Sequence, residues 1–143
     1  MTAVATDPRT GFARLVELAK AGGLDAACEK FGVRVMCAFG SATRESTLRP
    51  PDDLDVGVSF IDRSAGRRQR IALWTALVEL SGCEAIDLVV LDVDDPVLRA
   101  EALTGFGLYE DVSGAFAVMQ MAAIGERRDT AHLRRMNLEL MAQ

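Results

Sequence analysis

Hydrophobic and polar positions along the chain switch repeatedly between strand-like and helix-like spacing. Short apolar runs rich in β-branched and aromatic residues predict β-strands at 33–39, 54–60 and 85–91. The run at 85–91 is almost continuously apolar, which is typical of a central strand with both faces covered. Residues 106–110 predict a further short extended piece.

Between these runs the apolar positions recur with helical spacing. The pattern predicts helices over about 9–21, 25–31, 41–47, 64–81 and 96–103, and one long helix or two over 113–141. Candidate N-caps are Asp25, Ser64 and Asp95, the last followed by Pro96. In the fourth helix the face expected to pack on the sheet carries Ile71, Trp74, Leu77 and Val78.

This order of elements predicts an α+β fold in which helices cover a small mixed β-sheet. A chain of 143 residues, half of them hydrophobic, suggests one domain over 1–143, with a motif core of about 10–111 and a C-terminal helical segment of about 113–143. The C-terminal segment carries Leu133, Met136 and Leu140 on one face, flanked by arginines, and this face favours a partner or self-association.

Composition excludes several classes of function. No apolar window is long enough for a transmembrane helix, and the first residues lack the basic and apolar regions of a signal peptide. Three cysteines without metal-ligand spacing suggest reduced thiols in a cytoplasmic protein. A net charge of −5 argues against broad nucleic-acid binding.

The stretch between the first two predicted strands holds candidate chemistry. Gly40-Ser41 ends one strand, and Asp53 and Asp55 begin the next. Residues i and i+2 of a strand face the same side, and two carboxylates so close repel unless a cation lies between them. Mg²⁺, as one ion or a pair, takes such carboxylates together with phosphate oxygens.

Asp87 is a third acid, and it interrupts the apolar run at 85–91. A carboxylate buried there needs compensation, for which a metal or a hydrogen-bonding substrate is suited. If this strand lies beside the one at 54–60, the three acids form one cluster. Asp92 and Asp94 have the same spacing but precede Asp95-Pro96, which indicates loop and cap residues.

A phosphate site is predicted beside the acids. A helix that opens after Gly40 would offer backbone N–H groups, Ser41 a hydroxyl and Arg44 a guanidinium to an anion. Each part has a simpler interpretation: Gly-Ser as a plain turn, and Asp-x-Asp as a solvated strand end. His132 is interpreted as a surface residue of the last helix.

These residues together resemble the motif of the minimal nucleotidyltransferases (MNT) of the DNA polymerase β-like superfamily. The resemblance covers about 10–111, including "FGVRVMCAFGS" and "DPVLRAEALTGFGLYED". It implies that Asp53 and Asp55 bind metal, and that Asp87 binds metal or deprotonates the acceptor. It also implies Mg²⁺-dependent transfer of AMP from ATP to a hydroxyl. Many MNT proteins are antitoxins paired with a HEPN-domain ribonuclease toxin, and some silence that toxin by AMPylating a Tyr, which the resemblance implies for this chain too.

Two departures from that motif bear on catalysis. Glu45 stands where members usually have Gly, and the loop before Asp53 is about one residue longer than common. One alternative is therefore an MNT-fold protein that neutralises its partner by surface contact alone. A second is a small-molecule (antibiotic) nucleotidyltransferase, which the roughly 30 residues after the motif region disfavour. A homo-oligomer is compatible with either.

Overall fold

The computed structural model describes residues 6–93 and 95–142, and it contains the predicted strands and all the predicted helices except the one over 41–47. In chain order they are α1 (Pro8–Ala21), α2 (Asp25–Lys30), β1 (Val33–Phe39), β2 (Leu54–Phe60), α3 (Gly66–Ser81), β3 (Ile86–Val90), α4 (Pro96–Leu103), β4 (Phe106–Glu110) and α5 (Ala115–Met141). Asp94 of the predicted Asp-x-Asp pair lies outside the described residues. No helix within the described ranges has the length and apolar character needed to cross a membrane.

The strands form one mixed sheet in the order β3-β2-β1-β4. β1 runs antiparallel to β2 and β4, whereas β2 and β3 are parallel. The α+β fold with a small mixed sheet is therefore confirmed. The prediction that 85–91 is a central strand is wrong, because β3 lies at the edge of the sheet. β3 is apolar because both of its faces are covered. α3 packs on one face, and on the other Val89 packs against the residues that join the sheet to α4 and α5.

Two hydrophobic clusters sandwich the sheet. The larger joins the sheet to α1, α2 and α3 through buried residues such as Leu15, Cys28 and Leu73. The smaller joins the opposite face to α4 and α5 through Cys37, Leu103, Ala123 and their neighbours. All three cysteines are buried, free thiols, as the odd number predicted.

Two of the three predicted helix starts need correction. Asp25 is the first residue of α2, and Leu24 occupies the cap position without a side-chain bond. Ser64 does not cap α3, because its N–H donates to Asp62 and the helix begins two residues later. Asp95 does cap α4, since its carboxylate accepts from the Leu98 N–H at 3.1 Å.

The helix predicted over 41–47 is only a three-residue 3₁₀ turn, Ser41–Thr43. The chain leaves the turn in an extended conformation at Arg44. Arg9 of α1 holds it there by donating to the Arg44 carbonyl oxygen (3.0 Å) and to the Thr47 hydroxyl (2.7 Å). These bonds compete with the helical ones that the sequence pattern suggested.

α3 buries most of the predicted face, since Leu77 is buried and Trp74 and Val78 pack against the larger cluster, but Ile71 does not belong to it. Leu73 and Leu77 are buried and Trp74 is half-buried, whereas Ile71 is 76% exposed. Successive residues of a helix are about 100° apart, so Ile71 and Leu73 point to nearly opposite sides.

α5 is one continuous helix of 27 residues. Its first half packs on the body of the domain through Phe116, Met119 and Ala123. From His132 to Ala142 every residue is exposed, including Leu133, Met136 and Leu140. The second half therefore presents an apolar stripe without cover from the described chain.

Candidate functional site

Strand pairing brings the predicted site residues into one row across the sheet. Phe39 of β1 pairs with Asp55 of β2, and Asp55 pairs in parallel register with Asp87 of β3. Adjacent strands lie about 4.8 Å apart, and residues in register point to the same face. Gly40, Asp55 and Asp87 thus occupy neighbouring positions at the same end of three consecutive strands.

Gly40 is required at its position for two independent reasons. Its φ of 78° and ψ of −166° lie in a region that side chains disfavour. A Cβ at this position would also overlap Oδ2 of Asp55. The Gly-Ser turn and the first acid of β2 are therefore in direct contact.

The carboxylate of Asp55 shows the electrostatic character of the site. Its partial burial, together with the negative charges of Asp87, Asp53 and Glu101, raises its pKa to about 6. The three neighbouring acids are thus close enough to disfavour ionisation of Asp55. A cation bound here would relieve this repulsion.

The oxygen donors fit Mg²⁺ in kind, but the protein alone does not complete a coordination sphere. Within residues 6–93 and 95–142, no group of three or more His, Cys, Asp or Glu side chains is placed to hold a metal ion. Asp53 is exposed and immediately precedes β2. Mg²⁺ usually keeps several waters and takes only one or two carboxylates plus substrate phosphates. The arrangement therefore fits an ion that arrives with a nucleotide.

Asp87 is exposed, so the expectation of a buried carboxylate in need of compensation is wrong. The residue is the second of an edge strand, and Ala85, directly before that strand, is exposed as well. Solvent reaches it there although the flanking residues Ile86 and Leu88 are buried. Its exposure makes it the member of the row that an incoming molecule can reach.

The segment after Gly40, predicted to bind phosphate, differs in structure from the helix that the sequence suggested. A single 3₁₀ turn cannot supply the dipole of a helix N-terminus, which requires several aligned peptide units. The N–H groups of Thr43 and Arg44 donate within the turn, to Gly40 and Ser41 respectively. What remains for an anion is the half-buried Ser41 and the exposed Arg44. Glu45 is also exposed.

Sequence reasoning missed two residues of this region. Arg9 fixes the backbone that carries Arg44, and Glu101 of α4 adds a fourth negative charge near Asp55. Neither has a local sequence signal, because each reaches the site from an element distant along the chain. Only the packing of α1 and α4 against the sheet reveals them.

Asp92 does not behave as a solvated loop residue. Its side chain is 4% exposed and accepts from the Ser59 hydroxyl (2.7 Å) and the Phe60 N–H (2.9 Å). It ties the end of β2 to the segment after β3, a structural role distinct from that of the acid row. His132 is exposed on α5, as predicted.

Solved toxin–antitoxin structures share this fold. One with AMP-PNP has a TM-score of 0.62 and 17% sequence identity, over 85% of this chain and 98% of the other. A tri-AMPylated Shewanella oneidensis HEPN toxin in complex with MNT antitoxin has a TM-score of 0.60 and 16% identity, over 89% and 98%. MntA–HepT has the same score and identity, over 89% and 99%.

Comparison with protein-family models finds no match. A search of curated proteins finds none either. The likeness thus lies in three-dimensional structure at low sequence identity. The chain has the MNT nucleotidyltransferase fold of these antitoxin structures.

Proposed function

We propose that this protein is a Mg²⁺-dependent nucleotidyltransferase that transfers AMP from ATP to a hydroxyl of a HEPN toxin, and so acts as an antitoxin. The observation that carries the proposal is the row formed by Gly40, Asp55 and Asp87 on adjacent strands. An anion site and neighbouring carboxylates at the same end of three adjacent strands suit a nucleoside triphosphate. The structures with AMP-PNP and with an AMPylated HEPN toxin support the choice of nucleotide and partner.

In the proposed reaction the acceptor oxygen attacks the α-phosphorus of ATP. The new P–O bond forms as the bond to the β-phosphate breaks, and pyrophosphate leaves. Asp87, the exposed acid, accepts the proton of the acceptor hydroxyl, while Ser41 and Arg44 hold the phosphates. Bound Mg²⁺ supplies neutralisation of the charge on the phosphates, which is the main requirement of phosphoryl transfer.

Asp53 and Asp55 are the residues we assign to hold the ion. Asp55 is fixed by its contact with Gly40 and by its place within β2. A bound cation would offset the negative charges of its acidic neighbours, which contribute to its raised pKa. Glu101 adds to that negative field from α4.

The second half of α5 is the surface we assign to the partner or to a second copy. Leu133, Met136 and Leu140 form an exposed stripe, and Arg127, Arg128, Arg134 and Arg135 surround it. Exposed apolar side chains rimmed by arginine are typical of protein interfaces.

Transfer of label from radioactive ATP to a purified HEPN toxin in the presence of Mg²⁺ tests the proposal. Wild-type protein is expected to label the toxin, and Asp53→Asn, Asp55→Asn and Asp87→Asn are expected to lose labelling. Asp52→Asn is the matched control, since Asp52 is an exposed acid directly beside Asp53. Equal labelling by Asp55→Asn and wild type would refute the assigned site.

Neutralisation by binding alone is the second candidate. It is favoured by Glu45, which puts a negative charge directly after Arg44. Under this alternative the protein suppresses the toxin without labelling it. Restored labelling by Glu45→Gly would then show that this charge disables phosphate binding after Gly40.

A further inference from the structure

A groove runs along the outer side of β3, between that strand and the N-terminal half of α3. It has a volume of about 540 Å³. Arg63, Arg67 and Arg70 line one side, and β3 from Asp87 to Val90 lines the other. The groove therefore begins at the end of the acid row and extends away from it along the strand.

Three arginines and two carboxylates, Asp87 and Asp92, line the groove, so the formal charge of its lining is positive although the chain as a whole carries −5. Arg67 and Arg70 are exposed, and no carboxylate of the described chain lies within 4.0 Å of either guanidinium. Arg63 is 78% exposed, with Nε 3.8 Å from Asp92. Arg68, in contrast, pairs with Asp62 at 3.5 Å and does not line the groove.

The strand edge that faces the groove carries backbone groups without a strand partner in the described sheet. The Ala85 carbonyl and the Leu91 N–H both bond to β2, so backbone groups of the alternate residues point outward. Of these, the Ile86 carbonyl accepts from the Trp74 indole at 2.9 Å. Of the other two outward-facing residues, Leu88 is buried and Val90 is half-buried, so the arginine side chains and not the strand edge form the accessible surface of the groove.

The order of sites across the sheet indicates what the groove serves. Gly40 and Ser41 lie at the end of β1, Asp55 on β2 and Asp87 on β3, with the groove beyond. The nucleotide phosphates are assigned to the β1 side. A molecule in the groove would therefore approach Asp87 from the opposite side, where the acceptor belongs.

We propose that this groove binds an extended, acidic segment of the acceptor protein alongside β3. Carboxylates of the segment pair with Arg67 and Arg70, the two exposed arginines that have no carboxylate of the described chain beside them. One end of the segment then presents its hydroxyl to Asp87. The binding of the acidic segment is inferred from the groove alone, whereas the presentation of its hydroxyl to Asp87 rests on the proposed function.

Fluorescence anisotropy with synthetic probes tests binding to the full chain. The probe is a labelled peptide of about ten alternating Glu and Tyr residues, long enough to span the five residues of β3. It is compared with a Lys–Tyr peptide and with an oligouridylate of about the same length. We expect saturable binding of the Glu–Tyr peptide alone, weakening as salt rises.

The double variant Arg67→Glu/Arg70→Glu is expected to weaken Glu–Tyr binding about tenfold or more, because it reverses both charges. Arg68→Glu is the matched control and is expected to bind as wild type. Equal loss in the control, or equal binding of the Lys–Tyr peptide, would overturn the proposal. Tighter binding of oligouridylate would also overturn it, in favour of a nucleic-acid groove.

Transfer kinetics separate this proposal from the proposed function. If both hold, the double variant raises KM for the toxin and leaves KM for ATP unchanged. If the toxin is labelled with an unchanged KM in the double variant, the groove proposal fails and the enzyme assignment stands. If the Glu–Tyr peptide binds as expected but no nucleotide is transferred to any hydroxyl, the enzyme assignment fails and the groove stands.

Discussion

Gly40 and Asp55 are in such close contact that a side chain at position 40 would occupy the place of the Asp55 carboxylate. The contact joins the loop after β1 to the start of β2. The contact therefore couples the conformation of the loop that carries Ser41 and Arg44 to the position of Asp55, the proposed metal ligand.

Gly40→Ala is therefore expected to reduce stability and abolish transfer. The backbone conformation costs a residue with a side chain about 1–3 kcal/mol, and displacement of Asp55 adds to that cost. Urea unfolding followed by circular dichroism measures the change. Gly125→Ala is the control: nothing lies within 4 Å of its added Cβ, and alanine in a helix interior is expected to stabilise by about 0.5–1 kcal/mol.

Asp55→Asn is expected to raise the melting temperature of the metal-free protein at pH 7.5 and to leave it unchanged well below pH 3.8, the ordinary pKa of the carboxyl. The folded pKa of about 6 exceeds the ordinary 3.8, so ionisation of Asp55 is harder in the folded state. The penalty is absent below the ordinary pKa, grows between the two values and is complete above pH 6. Thermal melts across this range measure it.

Asp62→Asn provides a control of opposite sign for that experiment. The Ser64 hydroxyl and N–H lower the pKa of Asp62. Its ionised form therefore stabilises the fold at neutral pH, and this contribution is lost as pH falls through the lowered pKa. A gain in stability from Asp62→Asn at neutral pH would contradict this interpretation.

Mg²⁺ together with AMP-PNP is expected to raise the melting temperature of the wild type more than either alone. A ligand that binds only the folded state stabilises by about 2.7 kcal/mol at a hundredfold excess over its Kd. Asp53→Asn is expected to lose this gain, while Asp52→Asn retains it. A shift that persists in Asp53→Asn would exclude that carboxylate as a ligand.

Asp92→Ala is expected to destabilise the protein by about 1–3 kcal/mol, because it leaves the buried hydroxyl of Ser59 and the N–H of Phe60 without their acceptor. Asp87→Ala changes an exposed side chain and is expected to cost within about 0.5 kcal/mol. Chemical denaturation distinguishes the two. The comparison separates the acid that holds the fold from the acid assigned to the reaction.

Removal of residues 132–143 is expected to leave the melting temperature nearly unchanged, because residues 132–142 are exposed. The truncated protein retains Glu126, which bonds to Arg99 of α4. Loss of toxin binding or of self-association, measured by analytical ultracentrifugation, would place an interface on the apolar stripe. Retention of both would place it elsewhere.

Much of the fold could be predicted from local patterns in the sequence. Residue spacing located the strands and most helices, because burial of one helix face or both strand faces leaves a period in the sequence. The sequence pattern did not show that β3 is an edge strand. Because α3 covers one face of this strand and α4 and α5 cover the other, its residues are as apolar as those of a central strand. Strand order depends on long-range pairing, which single-sequence periodicity does not encode.

The site was predictable where it depended on strand ends and not where it depended on packing. The pairing of Asp55 with Asp87 followed from two strands being neighbours. The exposure of Asp87 and the shortness of the turn after Gly40 did not, because both depend on distant elements. The hydrogen bonds from Arg9, for example, cross more than thirty residues of sequence.

The unpaired edge of β3 has a consequence for the behaviour of the protein at high concentration. Exposed strand edges invite pairing between identical chains, and natural proteins oppose this with charged side chains beside the edge. If two copies met edge to edge, the arginines of one groove would face those of the other. The charge that attracts an acidic segment would thereby repel a second copy, so neutral replacements at Arg67 and Arg70 would leave the edge open to aggregation.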